Sequence, residues 1–290
     1  MQISANGINL EVETHGPEDG IPLILIRGLG TQLVHWPQEF IDGLANAGFR
    51  VVTFDNRDVG LSQRCPAPGV TGMAEDIIAQ VQNEQTPKAA YALADMACDV
   101  TGLMDALNIP RAHVFGISMG GAITQVLTID HADRLLSATI VMTAAALADP
   151  SILTRVLSYP MDKATYIEAS LAGDADWGSP GYPASKAFLR DQAARAWDRG
   201  YDATGINRQL LATMTAPPRR DALTTVDLPC LVIHGIDDTL IPVAAGRDIA
   251  QQIPNCEMQL IEGMGHVITP ALAPVIVDLV TDFTTRRGKA

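Results

Sequence analysis

Arg111-Ala112-His113-Val114-Phe115-Gly116-Ile117-Ser118-Met119-Gly120-Gly121 is the stretch on which the reading of this chain turns. Ala112 to Phe115 reads as a short buried strand, Gly116 to Gly121 as a turn, and Ala122 to His131 as a helix. Within the turn, Gly116-Ile117-Ser118-Met119-Gly120 fits the pattern G-x-S-x-G. A serine held between a strand and a helix sits on a strained backbone, and the residues two before and two after crowd against it, so both must be small. Gly116, Gly120 and Gly121 meet that demand. The Ser118 hydroxyl is therefore expected to stand above a sheet, near the positive end of the following helix, as a candidate nucleophile. A chance match is the competing reading, and the flanking strand and helix argue against it.

Outward from this turn, strands and helices alternate. The chain opens with a hairpin, Gln2 to Ser4 and Asn9 to His15 around Asn6-Gly7, followed by the continuous apolar run Pro22 to Ile26. A helix near Pro37 to Ala47 and a strand from Arg50 to Phe54 come next. The connection from Asn56 to Pro87, with a short helix around Met73 to Val81, is long enough to form a pocket rim or a flap. Leu93, Met96, Ala97, Val100, Leu103 and Met104 recur at helical spacing, and Asn108 and Pro110 stop that helix. After a strand from Ser137 to Thr143 the alternation breaks. Helix-like pieces near 152–158, 161–172, 184–199 and 206–214 follow, carrying aromatic residues from Tyr159 to Tyr201. Alternation resumes with Cys230 to His234, Val243 to Gln252, Glu257 to Ile261 and a last helix near Ala271 to Arg286. The expected architecture is α/β, a mostly parallel eight-stranded sheet flanked by helices, with a helical cap inserted after the sixth strand. Residues 1–145 and 223–290 form the two parts of the core, and 146–222 the cap.

Composition narrows the possible roles. The chain has 290 residues, 47% of them hydrophobic, enough for a sizeable core. A net charge of −13 argues against nucleic acid or an anionic membrane as partner, since both call for a basic face. No apolar run is long enough to span a bilayer, and the first residues lack the layout of a secretory signal. Cys65, Cys98, Cys230 and Cys256 show neither C-x-x-C pairing nor metal-ligand spacing, and read as buried free thiols in a cytoplasmic protein.

A serine hydroxyl is a poor nucleophile until a base takes its proton, most often a histidine. Of the six histidines, His15, His35, His113, His131 and His234 read as surface or packing residues. His266 stands apart in a glycine-rich loop, Gly263-Met264-Gly265-His266, after the last core strand. An acid must orient that imidazole. Two adjacent carboxylates, Asp237 and Asp238, follow the buried strand that ends at His234-Gly235, and either could serve.

Taken together these segments resemble the α/β-hydrolase family across nearly the whole chain. The glycine loop Arg27-Gly28-Leu29-Gly30, the D-x-R-x-x-G-x-S segment from Asp55 to Ser62, the serine turn, the strand-G-x-x-D segment and the G-H segment all occur in family order. The serine turn with its flanks, and Gly263 to His266, are similar to bacterial methylesterases of the aclacinomycin type. This resemblance implies a catalytic triad of Ser118, Asp238 and His266. Asp238 is the fourth residue of its segment, and Asp237 becomes a turn residue. It implies an oxyanion hole made of the Leu29 and Met119 backbone N–H groups, with no cofactor and no metal. Arg27 departs from the family's usual histidine, which leaves a backbone donor at Leu29 possible. The Asp55 to Ser62 segment is implied to be a structural turn.

The activity implied is that of a carboxylesterase-type serine hydrolase. It would cut small to medium hydrophobic esters, methyl esters among them, through an acyl-enzyme. Lactonases, C–C bond hydrolases and cofactor-free haloperoxidases or perhydrolases use the same layout, and a ligand-binding receptor on the same fold is the non-enzymatic alternative. The serine speaks against epoxide hydrolases and haloalkane dehalogenases, which use aspartate. A small-molecule ester is the expected partner, and oligomeric state is left open.

Overall fold

A computed structural model describes residues 1–146 and 155–287. Its eight strands are β1 Gln2–Ala5, β2 Ile8–His15, β3 Ile21–Ile26, β4 Phe49–Phe54, β5 Ala112–Ile117, β6 Leu135–Val141, β7 Cys230–Gly235 and β8 Glu257–Ile261. They form one sheet in the order β1-β2-β4-β3-β5-β6-β7-β8. β1 and β2 pair antiparallel, as do β2 and β4; every other pairing is parallel. The first hairpin turns at Asn6 and Gly7, both with positive φ (48° and 76°), which matches the twist of the two strands it joins.

β5 and β7 are buried at every position, because helices cover both faces of the sheet. One face carries α3 Leu93–Ala106, whose Met96, Val100 and Leu103 are fully buried, together with α4 Met119–Asp130. The other carries α1 Gln38–Asn46, where Phe40 and Leu44 meet Ile276 and Val280 of the terminal helix in one cluster. Each such fully buried Leu, Ile or Phe contributes about 1.5–3 kcal/mol. Between β6 and β7 the chain forms α5 Lys163–Trp177, α6 Lys186–Asp198, α7 Ala203–Met214 and the short α8 Arg220–Leu223. α9 Val243–Gln252 and α10 Ala273–Arg287 complete the order, with α2 Ala74–Gln82 lying between β4 and α3.

Several expectations change. Of the helical piece expected near 152–158, residues 152–154 lie outside the described residues. β5 runs to Ile117 and α4 begins at Met119, so the turn expected over six residues is a single residue, Ser118. Three glycines in six positions suggested a loop, but here they serve close packing. α8 went unforeseen, being four residues long. The 56–87 connection does not line the main cavity. Its α2 instead packs Ala74 and Ile77 against Leu210 and Leu211 of α7. All four cysteines are free, but only Cys230 is buried; the other three are half-buried.

The Asp55 to Ser62 turn ties this frame to the insertion. Asp55 accepts hydrogen bonds from the Leu33 and Leu61 N–H groups (2.7 and 2.9 Å) and from Arg199 (2.6 Å). Arg57 is paired with Asp99, and Arg208 with Asp58, each at 2.6 Å.

His113, in the middle of β5, is only 2% exposed, and burial pushes its pKa down to about 4. The unfolded chain takes up this proton near pH 6.5, whereas the folded chain does so only near 4. Stability must therefore fall as pH drops through that window, by up to about 3 kcal/mol from this residue at 1.36 kcal/mol per unit. Urea unfolding at pH 7.5 and 4.5 should show a smaller loss in His113→Gln than in the wild type. Equal losses would refute the assignment.

Candidate active site

Ser118 is the one residue between β5 and α4, at φ 54° and ψ −120°, a left-handed conformation that a side chain tolerates only when its surroundings enforce it. The packing shows what enforces it. A Cβ at Gly116 would collide with Gly120 O and Thr124 Oγ1, and one at Gly120 with Ile26 O. With no side chains there, helix and strands close on each other and the serine is left projecting. Gly28 approaches from the next strand's end; a Cβ there would stand 3.1 Å from Ser118 Cβ.

The three residues proposed from sequence come together. His266 Nε2 lies 3.0 Å from Ser118 Oγ, and His266 Nδ1 lies 2.7 Å from Asp238 Oδ2. The other carboxylate oxygen, Oδ1, accepts the N–H groups of Leu240 (2.9 Å) and Ile241 (2.8 Å). Burial alone would push the Asp238 carboxyl up. Hydrogen bonds from His234 and His266, the charge of His266 and the Ile241 N–H outweigh it and hold the group well below the usual carboxylate range. Asp238 is thus an anion at neutral pH, able to fix the imidazole with its lone pair toward Ser118.

Asp237 does something else. Its Oδ2 accepts the Gly263 N–H at 2.7 Å, bridging to the loop that carries His266. The Leu29 and Met119 amides flank the serine, and neither donates to another described residue. Met119 N–H is free because it opens a helix, and Leu29 follows the close contact at Gly28.

Sequence reasoning missed three contributors. His234, read as a surface or packing residue, is fully buried, with Nε2 3.5 Å from Asp238 Oδ2 and 2.9 Å from Ile241 O. Its position four before Asp238 was the available signal. Ser179 accepts the Gly265 N–H at 3.0 Å and donates to Val267 O at 2.6 Å. Trp177 O accepts the His266 N–H at 2.7 Å. Nothing in the pattern of the insertion marks either residue.

Ser118 and His266 open into a cavity of about 480 Å³ between the sheet's carboxyl edge and the insertion. Tyr166, Trp177, Phe188 and Tyr201 line it, with aliphatic residues such as Leu157 and Leu210. Trp197 instead stacks behind Tyr201, with ring centroids 5.2 Å apart. A chamber of this kind suits a small or medium-sized, mainly apolar molecule. Among the described residues no helix is long and apolar enough to cross a membrane.

Known proteins are similar to this chain in sequence and in fold. A family model described as the alpha/beta hydrolase fold matches residues 21–269. Rhodomycin D methylesterase DnrP of Streptomyces peucetius is 26% identical, with 93% of each chain covered. 3-oxoadipate enol-lactonase 2 of Acinetobacter baylyi is 25% identical, over 90% of this chain and 87% of its own. The crystal structure of the enol-lactonase from Burkholderia xenovorans LB400 superposes with a TM-score of 0.74 at 26% identity, covering 98% of this chain and 100% of that one.

Proposed function

This chain belongs to the α/β-hydrolase fold family, and on that premise we propose that it is a serine carboxylic-ester hydrolase acting through an acyl-enzyme. The observation that carries the reading is the continuous hydrogen-bonded line Ser118–His266–Asp238, 3.0 and 2.7 Å in its two links, on a serine held at positive φ. Ser118 Oγ attacks the ester carbonyl as His266 Nε2 takes its proton. The Leu29 and Met119 N–H groups receive the negative charge on the carbonyl oxygen. His266 then hands the proton to the departing alcohol. A water molecule, deprotonated by the same imidazole, attacks the acyl-serine; as the acyl–oxygen bond breaks, His266 returns the proton to Ser118 Oγ and the acid is released. Asp238 stays ionised throughout and stabilises the imidazolium.

The helices between β6 and β7 act as the cap, and their aromatic lining supports small to medium hydrophobic esters as substrates. Four free thiols support a reducing, cytoplasmic setting. A lactone is an internal ester and would pass through the same steps. The similarity to two enol-lactonases favours it as a second reading.

Incubation with a fluorophosphonate should modify Ser118 stoichiometrically, and p-nitrophenyl butyrate should be hydrolysed with an initial burst of nitrophenol. A protein that neither takes the label nor cleaves any ester or lactone in a panel of both would not be this enzyme.

A further inference from the structure

Two of the four buried guanidinium groups have a carboxylate for company, Arg57 with Asp99 and Arg208 with Asp58, as does the partly buried Arg199 with Asp55. Arg219 has none, but amide oxygens of Gln125 and Ala144 accept from it at 3.1 Å each. Arg27 differs. It is 8% exposed, and no carboxylate among the described residues pairs with it. Its Nε donates to Thr31 Oγ1 (3.1 Å), its Nη1 makes a long contact with His35 O (3.5 Å), and its guanidinium lies on the Trp36 ring, 4.5 Å from the centroid. Nη2 has no acceptor among the described residues, yet it is not sealed in the protein interior; Arg27 is part of the cavity wall. Burial pushes the pKa down only to about 9, so the group is cationic at neutral pH.

His35 stands beside it in the same wall. Its Nδ1 lies 2.9 Å from the Gln32 N and 3.2 Å from the Gln32 O; the shorter contact, in which Nδ1 accepts the N–H, places the ring proton on Nε2. That N–H has no acceptor among the described residues either. Desolvation, followed by the positive charge of Arg27, pushes this imidazole down to about 3, so it is a neutral donor. Two unspent donors, one cationic, therefore share the wall of the chamber that holds Ser118, and the residue after Arg27 is Gly28, in contact with the serine. Leaving a buried charge without a counter-ion is costly, whereas a guanidinium matches the two oxygens of a carboxylate. Of the other charged side chains in the wall, Arg155 is already paired with Asp176 at 3.0 Å, which leaves Arg27 and Arg219 against a single lining carboxylate among the described residues, Asp174.

We propose that Arg27 and His35 form a carboxylate subsite beside Ser118, so that the preferred substrates are esters with an apolar body and a second, anionic group. The proposal rests on the ester-hydrolase reading and adds the substrate class to it. Arg27 binds and orients; it takes no part in proton transfer.

The test compares p-nitrophenyl hemiglutarate, which carries a free carboxylate, with neutral p-nitrophenyl butyrate. The ratio of kcat/KM for the two should fall at least tenfold in Arg27→Met, mainly through KM for the hemiglutarate, with partial recovery in Arg27→Lys. An unchanged ratio overturns the subsite. A second measurement needs only the wild type: benzoate should inhibit butyrate hydrolysis at least tenfold more tightly than benzamide, and equal inhibition overturns the proposal even if the Arg27 variants do not fold. Absence of all ester cleavage together with absence of Ser118 labelling would instead defeat the ester-hydrolase reading. Butyrate hydrolysis indifferent to carboxylates defeats the subsite alone.

Discussion

Ser118→Ala should lower turnover of p-nitrophenyl butyrate about 10⁶-fold, the size of loss typical when a triad serine is removed. The substitution takes away one oxygen and little else. Alanine accepts the positive φ no better than serine does, and the glycines at 116 and 120 that shape the turn stay in place. The Leu29 and Met119 amides also remain, so a small residual rate above that in water is expected from them. Thermal unfolding of the variant should stay close to that of the parent, because the hydroxyl's described side-chain bond is the one to His266. A variant retaining a hundredth of the parental rate would remove the serine from the chemistry.

Asp238→Asn should lower kcat about 10⁴-fold with the fold intact. The direction follows from which way the amide must turn. Oδ1 accepts two backbone N–H groups, from Leu240 and Ile241, and only the amide oxygen can replace it there. The NH₂ group is then forced toward His266 Nδ1, where the parent has an accepting oxygen at 2.7 Å. His266 must answer with a lone pair on Nδ1, which puts its proton on Nε2, facing Ser118. An imidazole in that tautomer cannot accept the serine proton. Steady-state kinetics together with the imidazole nitrogen shifts in NMR spectra would report both halves of the argument. A kcat within tenfold of the parent's would show that Asp238 does not orient the base.

The parts of this molecule that sequence reveals are those whose chemistry is local. The serine turn was legible because strand, small residues and helix lie within about twenty positions, and β3 and β7 because a strand buried on both faces leaves an apolar run, Leu23 to Ile26 and Cys230 to Ile233. His266 was legible through its place after β8. What stayed hidden depends on distant segments meeting. α5 has no buried residue, so its sequence carries no apolar stripe from which to read its end at Trp177. The 56–87 connection looked like a rim because its partner, α7, lies more than a hundred residues away. Arg27 stood out only as a departure from a motif. That no carboxylate among the described residues pairs with it depends on which segments the fold brings near it.

The imidazole at 266 owes its place to the roof of the chamber as much as to its floor. Trp177 O holds its own amide, and Ser179 holds the amide before it and the carbonyl after it. Any displacement of the 177–179 segment would thus pull on the loop that carries the imidazole. The stillness of that imidazole is secured from outside the sheet, by three hydrogen bonds reaching residues 265–267 from the segment between β6 and β7.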